Sequence, residues 1–234
     1  MRRVLLAAAL PLAACSMGTA TAADRPASRS FPVSGFTGID LEGAAEIDVR
    51  TGTGFSVRAE GDQAAIDRLE ITRAGPMLKI DQRRSVMANW TRSRAPKIFV
   101  TMPRLAQADI GGAGSIHVDR VEGNALSASI GGSGSLTIDT LRVDTARVSI
   151  DGSGKVTANG TAGALDLGLG GSGSIRLEGV RAGRARVDLS GSGSIRAAVD
   201  GPAAVSLSGS GSIDLGAAAR CQTRKSGSGR VRCG

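Results

Sequence analysis

Aromatic side chains are nearly missing from this chain: its 234 residues include four Phe, one Trp and no Tyr. A wide sandwich packed with large rings is therefore excluded, and Val, Ile, Leu and Ala must fill a thin interior. Stacking platforms for single-stranded nucleic acid need several exposed rings, so that ligand class is excluded too, and strong stacking on sugars with it. Histidine occurs once and cysteine three times. The apolar run from Val4 to Ala14 is too short to hold a bilayer as a stable anchor. Neither charge dominates: 29 Lys and Arg face 21 Asp and Glu, a formal charge of +8. That balance permits contact with an anionic surface without demanding one.

Residues 1–22 have the pattern of an export signal, with Arg2 and Arg3 before the apolar run. Leu12-Ala13-Ala14-Cys15 has the form of a bacterial lipobox, which would make Cys15 the acylated first residue of an outer-membrane lipoprotein. A cut after Ala20-Thr21-Ala22 would instead release a soluble periplasmic protein. The lipobox reading leaves Cys221 and Cys233 as an even pair in an oxidising compartment.

What the chain has in excess is glycine, 34 residues. Gly112-Ala113-Gly114 is followed by Gly-Ser-Gly at Gly132, Gly152, Gly171, Gly191, Gly209 and Gly227, at spacings of 20, 20, 19, 20, 18 and 18. A period this constant, with small drifts, describes stacked coils whose corners absorb insertions. Two, four and six residues before each first glycine the chain is apolar until the last coil, as at Ile150, Val148 and Ala146 or Leu169, Leu167 and Leu165. Four and six residues after it the same holds, as at Leu136 and Ile138. Period two on both sides of the glycines predicts two half-buried strands meeting at a tight turn, with about five inward side chains per coil. Coils pairing in parallel at about 4.8 Å make a rod of about 34 Å from seven of them. The expected fold class is an all-β solenoid over 106–234.

The last coil places Cys221 and Cys233 on inward positions six residues either side of Gly227, so a disulfide capping the stack is expected. Arg220, Arg224, Lys225, Arg230 and Arg232 surround that end. Residues 31–105 are β-rich and less regular, and are expected to form an N-terminal cap. Within them 38–49 line up with 108–118 around a shared Gly-Ala step and read as a degenerate first coil. Strands are expected at 55–60, 69–72, 78–81 and 97–102, a helical turn at 62–69, and a polar tether at 23–30.

Stacking turns each repeat position into a ladder, which brings His117, Asp119 and Asp139 to one face. A His with two carboxylates is a metal-ligand set, and carboxylates one coil apart approach glycosidase spacing. Position seven of the coil is nevertheless a strand end where Asp favours turns, and the expectation is no metal and no catalytic residue. Gly131-Gly132-Ser133-Gly134-Ser135-Leu136 lacks the aspartate of calcium-binding nonapeptides. Gly152-Ser153-Gly154-Lys155 lacks the first glycine, the following Ser or Thr, and the helix of a phosphate loop, so no cofactor is expected. One segment, 82–97, carries Arg83, Arg84, Trp90, Arg92 and Arg94 without an acid. It is a candidate contact for lipid phosphates or an acidic glycan, or else a long surface connection.

The strand from Gly35-Phe36 to Gly43, the segment Phe55 to Asp62 and the Gly-Ser-Gly ladder down to Lys225-Ser226-Gly227-Ser228-Gly229 resemble the bacterial family of auto-transporter adhesin head GIN domains. The resemblance covers essentially all of the chain after its leader. It implies a right-handed parallel β-helix and a role in adhesion at the cell envelope, and it brings no catalytic residue. The expected function is thus a non-catalytic envelope protein, with a periplasmic module for an anionic glycan or lipopolysaccharide as the alternative and a polysaccharide-active enzyme third.

Overall fold

In the computed structural model, residues 26–83 and 95–234 are described. The strands are β1 (Pro26–Phe31), β2 (Gly38–Leu41), β3 (Glu46–Thr51) and β4 (Ser56–Asp62); then, after helix α1 (Gln63–Asp67), β5 (Leu69–Ala74), β6 (Met77–Gln82), β7 (Lys97–Met102) and β8 (Gln107–Ile110). The regular coils follow as β9 (Ser115–Ile130), β10 (Ser135–Gly152), β11 (Lys155–Gly171) and β12 (Ser174–Gly191). The stack closes with β13 (Ser194–Val199), β14 (Pro202–Gly209), β15 (Ser212–Asp214), β16 (Arg220–Ser226) and β17 (Arg230–Arg232). The chain is an all-β parallel solenoid, each coil pairing in register with the next, as in Leu136↔Val156 and Val148↔Leu167.

Each coil has three sides where the repeat suggested two. In β10 the buried residues are Leu136 and Ile138, then Leu141 and Val143, then Ala146, Val148 and Ile150. The period of two slips by one residue between these groups, so the chain turns a corner without leaving the ladder. Seven inward side chains per coil, rather than five, line the core. The extra side carries Val121, Leu141, Val180 and Val199, and its variable distance from the glycines hides it from a count anchored there. Ala106, expected inside, is half-buried, because the turn entering β8 gives the interior to Leu105 instead. Among the described residues no polar or charged side chain is buried.

The glycine corner is a backbone-on-backbone contact. Ser192 and Gly193 both donate N–H groups to the carbonyl of Gly171 in the coil before, at 2.9 and 3.1 Å. A Cβ on Gly191 would sit 2.4 Å from that oxygen, and its φ of +124° is one that side chains rarely adopt. A Cβ on Gly193 would meet the Leu169 side chain at 2.5 Å and the Gly173 carbonyl at 2.6 Å. The first glycine lets corners stack, and the second lets the inward residue of the previous coil reach the axis.

At the N-terminal end the order in space departs from the order in sequence. The 38–49 coil pairs with the first regular coil as its alignment suggests, Ile39↔Ala108 through β2 and β8 and Ile47↔Ile116 through β3 and β9. Its other edge carries β6 and β7, through Ile39↔Leu78 and Ile47↔Ile98, so these later strands form the outermost coil. Antiparallel β5 covers β6, and β4 covers β7, which leaves no parallel edge open there. Residues 26–30, expected as a tether, instead belong to β1, which pairs antiparallel with β4 and is fastened by Arg29 to Asp67 at 2.7 Å. Its exposed polar side chains conceal a strand held by main-chain bonds.

At the other end β16 and β17 bear a disulfide, Cys221–Cys233, with Cα atoms 6.1 Å apart. Thr223 and Lys225, on inward positions by count, are exposed because no further coil covers them.

Replacing Gly191 with Ala is expected to destabilise the protein by about 1–3 kcal/mol from backbone strain alone, with the carbonyl clash adding to it. Gly168→Ala, where an added Cβ meets nothing within 4 Å, should stay close to wild type. Urea denaturation midpoints of the two variants check the contrast.

Candidate functional site

The interior is filled with apolar side chains, so groups able to do chemistry stand on the outward rows. His117 on β9 and Asp139 on β10 meet across the coil spacing, with Nε2 3.0 Å from both carboxylate oxygens. Asp119 does not join them. Its Oδ1 accepts the Thr51 N–H at 2.9 Å, while Thr51 Oγ1 donates to the Arg120 carbonyl at 2.7 Å. Asp119 thus ties the end of β3, which is too short to continue the ladder, to the neighbouring coil. Of the predicted trio, two side chains pair on an open sheet and the third is a structural tie. Among the described residues no three His, Cys, Asp or Glu side chains converge on a metal-sized site.

A second carboxylate pair lies one side around. The register Asp40↔Asp109 stacks two acids on adjacent strands, and Lys79 Nζ approaches Asp40 at 3.6 Å. Partial burial, reinforced by the Asp40 charge, raises the Asp109 carboxyl above the usual carboxylate range, although Gln107 donates to it at 2.7 Å and opposes the shift.

Of the basic segment, Arg83 is described and pairs with Glu70 on β5. Arg84, Trp90, Arg92 and Arg94 lie outside the described residues, as does Cys15. Arg232 pairs with Asp214 at 3.6 Å at the disulfide-bonded end.

The count from the glycines marked inward positions and missed a recess of about 240 Å³ on the outer face of the side that precedes each corner, between β12 and β16. Its walls are Arg186 and Asp188 on one strand and Gln222 and Arg224 on the other, with Ala204 and Ser206 of β14 between them. The signal was present three, five and seven residues before each first glycine, where small residues in one coil fall between long ones in its neighbours. Charge is also segregated along the stack. Residues 106–173 hold four Lys or Arg against seven Asp or Glu, and residues 174–234 hold ten against four.

This architecture has relatives. Residues 35–232 match the family described as putative auto-transporter adhesin, head GIN domain. The chain belongs to that family. Solved structures share the head GIN fold at low sequence identity. A putative adhesin from Bacteroides fragilis is 21% identical over 89% of this chain and 97% of its own, with a TM-score of 0.83. A putative lipid binding protein from Parabacteroides distasonis is 20% identical over 89% and 96%, with a TM-score of 0.70. A putative adhesin from Parabacteroides merdae is 16% identical over the same shares, with a TM-score of 0.64. No curated protein matches this head GIN chain in sequence. The similarity extends from β2 to β17, so the cap and the coils together are the family fold.

Two substitutions test the carboxylate pairs. His117→Ala should change stability by about 0.5 kcal/mol or less, since both partners are exposed, and should leave metal content unchanged. For Asp109 the folded state binds its proton more tightly than the unfolded chain. Its contribution is therefore full at pH below the ordinary carboxylate value of about 3.9 and declines as pH rises through the folded value. Asp109→Asn is expected to melt above wild type at pH 7 and level with it at pH 3, as read by thermal unfolding.

Proposed function

We propose that the chain is a non-catalytic module of the bacterial cell envelope that acts by adhesion, or by contact with an envelope surface, through the outward side chains of its coils. The observation that carries this reading is the division of the molecule. Apolar residues, aliphatic apart from Phe36 and Met102, occupy the interior, and what faces outward is a periodic, rigid display of polar groups. The titratable pairs, His117 with Asp139 and Asp40 beside Asp109, stand on open sheet rather than in a cavity that could exclude water from a reaction. Family membership supports adhesion as the use of such a display. No helix among the described residues is long and apolar enough to cross a membrane.

The leader supports export, with Cys15 as the proposed lipid anchor and cleavage after Ala22 as the soluble alternative. The basic C-terminal coils favour a second reading, a periplasmic binding module for an anionic glycan or lipopolysaccharide. Arg83, Arg84, Trp90, Arg92 and Arg94 are proposed as an additional anionic contact.

Cell fractionation of the full chain and of Cys15→Ala, followed by binding of the mature protein to lipopolysaccharide, peptidoglycan and glycans, tests the reading. Wild type is expected in the envelope fraction, Cys15→Ala in the soluble periplasm, and the mature protein retained on at least one surface. Reversing the charges of Arg83, Arg84, Arg92 and Arg94 should weaken retention on anionic material. A cytoplasmic protein, or retention on none of these surfaces, would overturn it.

A further inference from the structure

The recess between β12 and β16 belongs to a longer trough that the repeat itself creates. Parallel register aligns Arg186↔Ala204↔Gln222 and Asp188↔Ser206↔Arg224 across β12, β14 and β16. One residue before the Ala185↔Ala203 pair stands Arg184, next to Gly183, whose carbonyl lies against Gly201, and Pro202 after Gly201 pairs with Arg220. Arg184 also borders a second recess with Arg147 and Asp166 on the other side of β12. Side chains in β14 stop at a ring, a methyl or a hydroxyl, whereas those of both neighbours extend well beyond. Two walls of long side chains therefore stand about 9.6 Å apart, two strand spacings, over a floor of Pro202, Ala204 and Ser206. From Arg184 to Asp188 the walled stretch runs about 13 Å along the strands.

The walls are charged in a particular way. Arg186 pairs with Asp188 at 3.2 Å. Among the described residues Arg184, Arg220 and Arg224 have no ion-pair partner, and they stand on both walls. Three uncommitted guanidinium groups flanking a narrow floor call for an anionic occupant. Asp188 is already paired with Arg186, and Gln222, Ser206 and Asp188 together offer hydrogen bonds to hydroxyls. A flat bilayer would touch the tips of the walls and leave the floor empty. Resting on the envelope-contact reading above, we infer that this trough binds a single extended acidic polysaccharide chain, whose carboxylates are taken by Arg184, Arg220 and Arg224 and whose hydroxyls are taken by Gln222, Ser206 and Asp188.

The test is titration of the mature protein with polygalacturonate, with dextran as the neutral polymer and phosphatidylglycerol vesicles as the anionic surface. Three variants accompany wild type, each checked for its melting transition. One reverses the trough, Arg184→Glu, Arg220→Glu and Arg224→Glu. One makes the same charge change on the other two sides of the same coils and their neighbour, Arg176→Glu, Arg181→Glu and Arg196→Glu. The third, Ala204→Trp, fills the floor without altering charge.

Wild type should bind polygalacturonate and ignore dextran. Trough reversal and Ala204→Trp should each weaken binding at least about ten-fold, and reversal on the other sides by less than about three-fold. Equal loss from the two charge reversals, unimpaired binding by Ala204→Trp, or binding to vesicles but not to polygalacturonate would each overturn the trough. Any of these outcomes leaves the envelope-contact reading intact, since that reading fails on location and on retention by whole envelope material.

Discussion

The structure depends on one close approach, that of a glycine corner to the carbonyl of the corner before it. At each corner one or two N–H groups reach a single glycine oxygen of the coil before, as Ser192 and Gly193 reach Gly171 and Ser153 reaches Gly132. No side chain fits between them. This contact sets the coil spacing and the register, and register determines which residues face inward. A one-residue slip would carry Leu189 and its companions outside and every arginine of that coil inside, at prohibitive desolvation cost. A single coil cannot hold this arrangement, because fixing about twenty residues costs more than seven aliphatic side chains return. Stability therefore resides in the stack, and its ends need special treatment.

The two ends are treated differently. The N-terminal end is closed by main-chain pairing, with β4 and β5 laid antiparallel against the outermost coil and β1 against β4. The C-terminal end keeps its parallel edge and relies on the Cys221–Cys233 bridge and a ring of cations. Positive charge discourages a second copy from adding to that edge. The same cations also supply the outer wall of the trough proposed for an acidic chain, so the device that keeps the stack finite also shapes its chemistry. The drift of charge from acidic central coils to basic terminal ones biases any anionic partner toward this end.

Much of the fold could be read from residues alone because the coil period is short and its glycines mark the phase. Inward positions such as Ile150 and Leu167, the pairing of 38–49 with 108–118 and the cysteine bridge all follow from counting. Counting failed where phase is lost. Val121, Leu141 and Val180 sit beyond corners with no glycine to announce them, and β1 is an exposed strand held by backbone bonds that leave no pattern in its side chains. For the site, spacing alone proposed a cluster of His117, Asp119 and Asp139. The real geometry sends Asp119 to Thr51, a partner 68 residues away in sequence.

Sequence by itself determined that the chain is a stack of Gly-Ser-Gly coils with an aliphatic interior, few aromatic contacts and a cysteine-bearing last turn, because each of these is a local property repeated at a fixed period. Only the tertiary structure decided that the coils have three sides, that the outermost coil comes from β6 and β7, and that Arg186, Gln222 and Arg224 stand around one recess. Those facts depend on which strand lies beside which, and neighbours in a solenoid are set by stacking across about twenty residues rather than by adjacency along the chain.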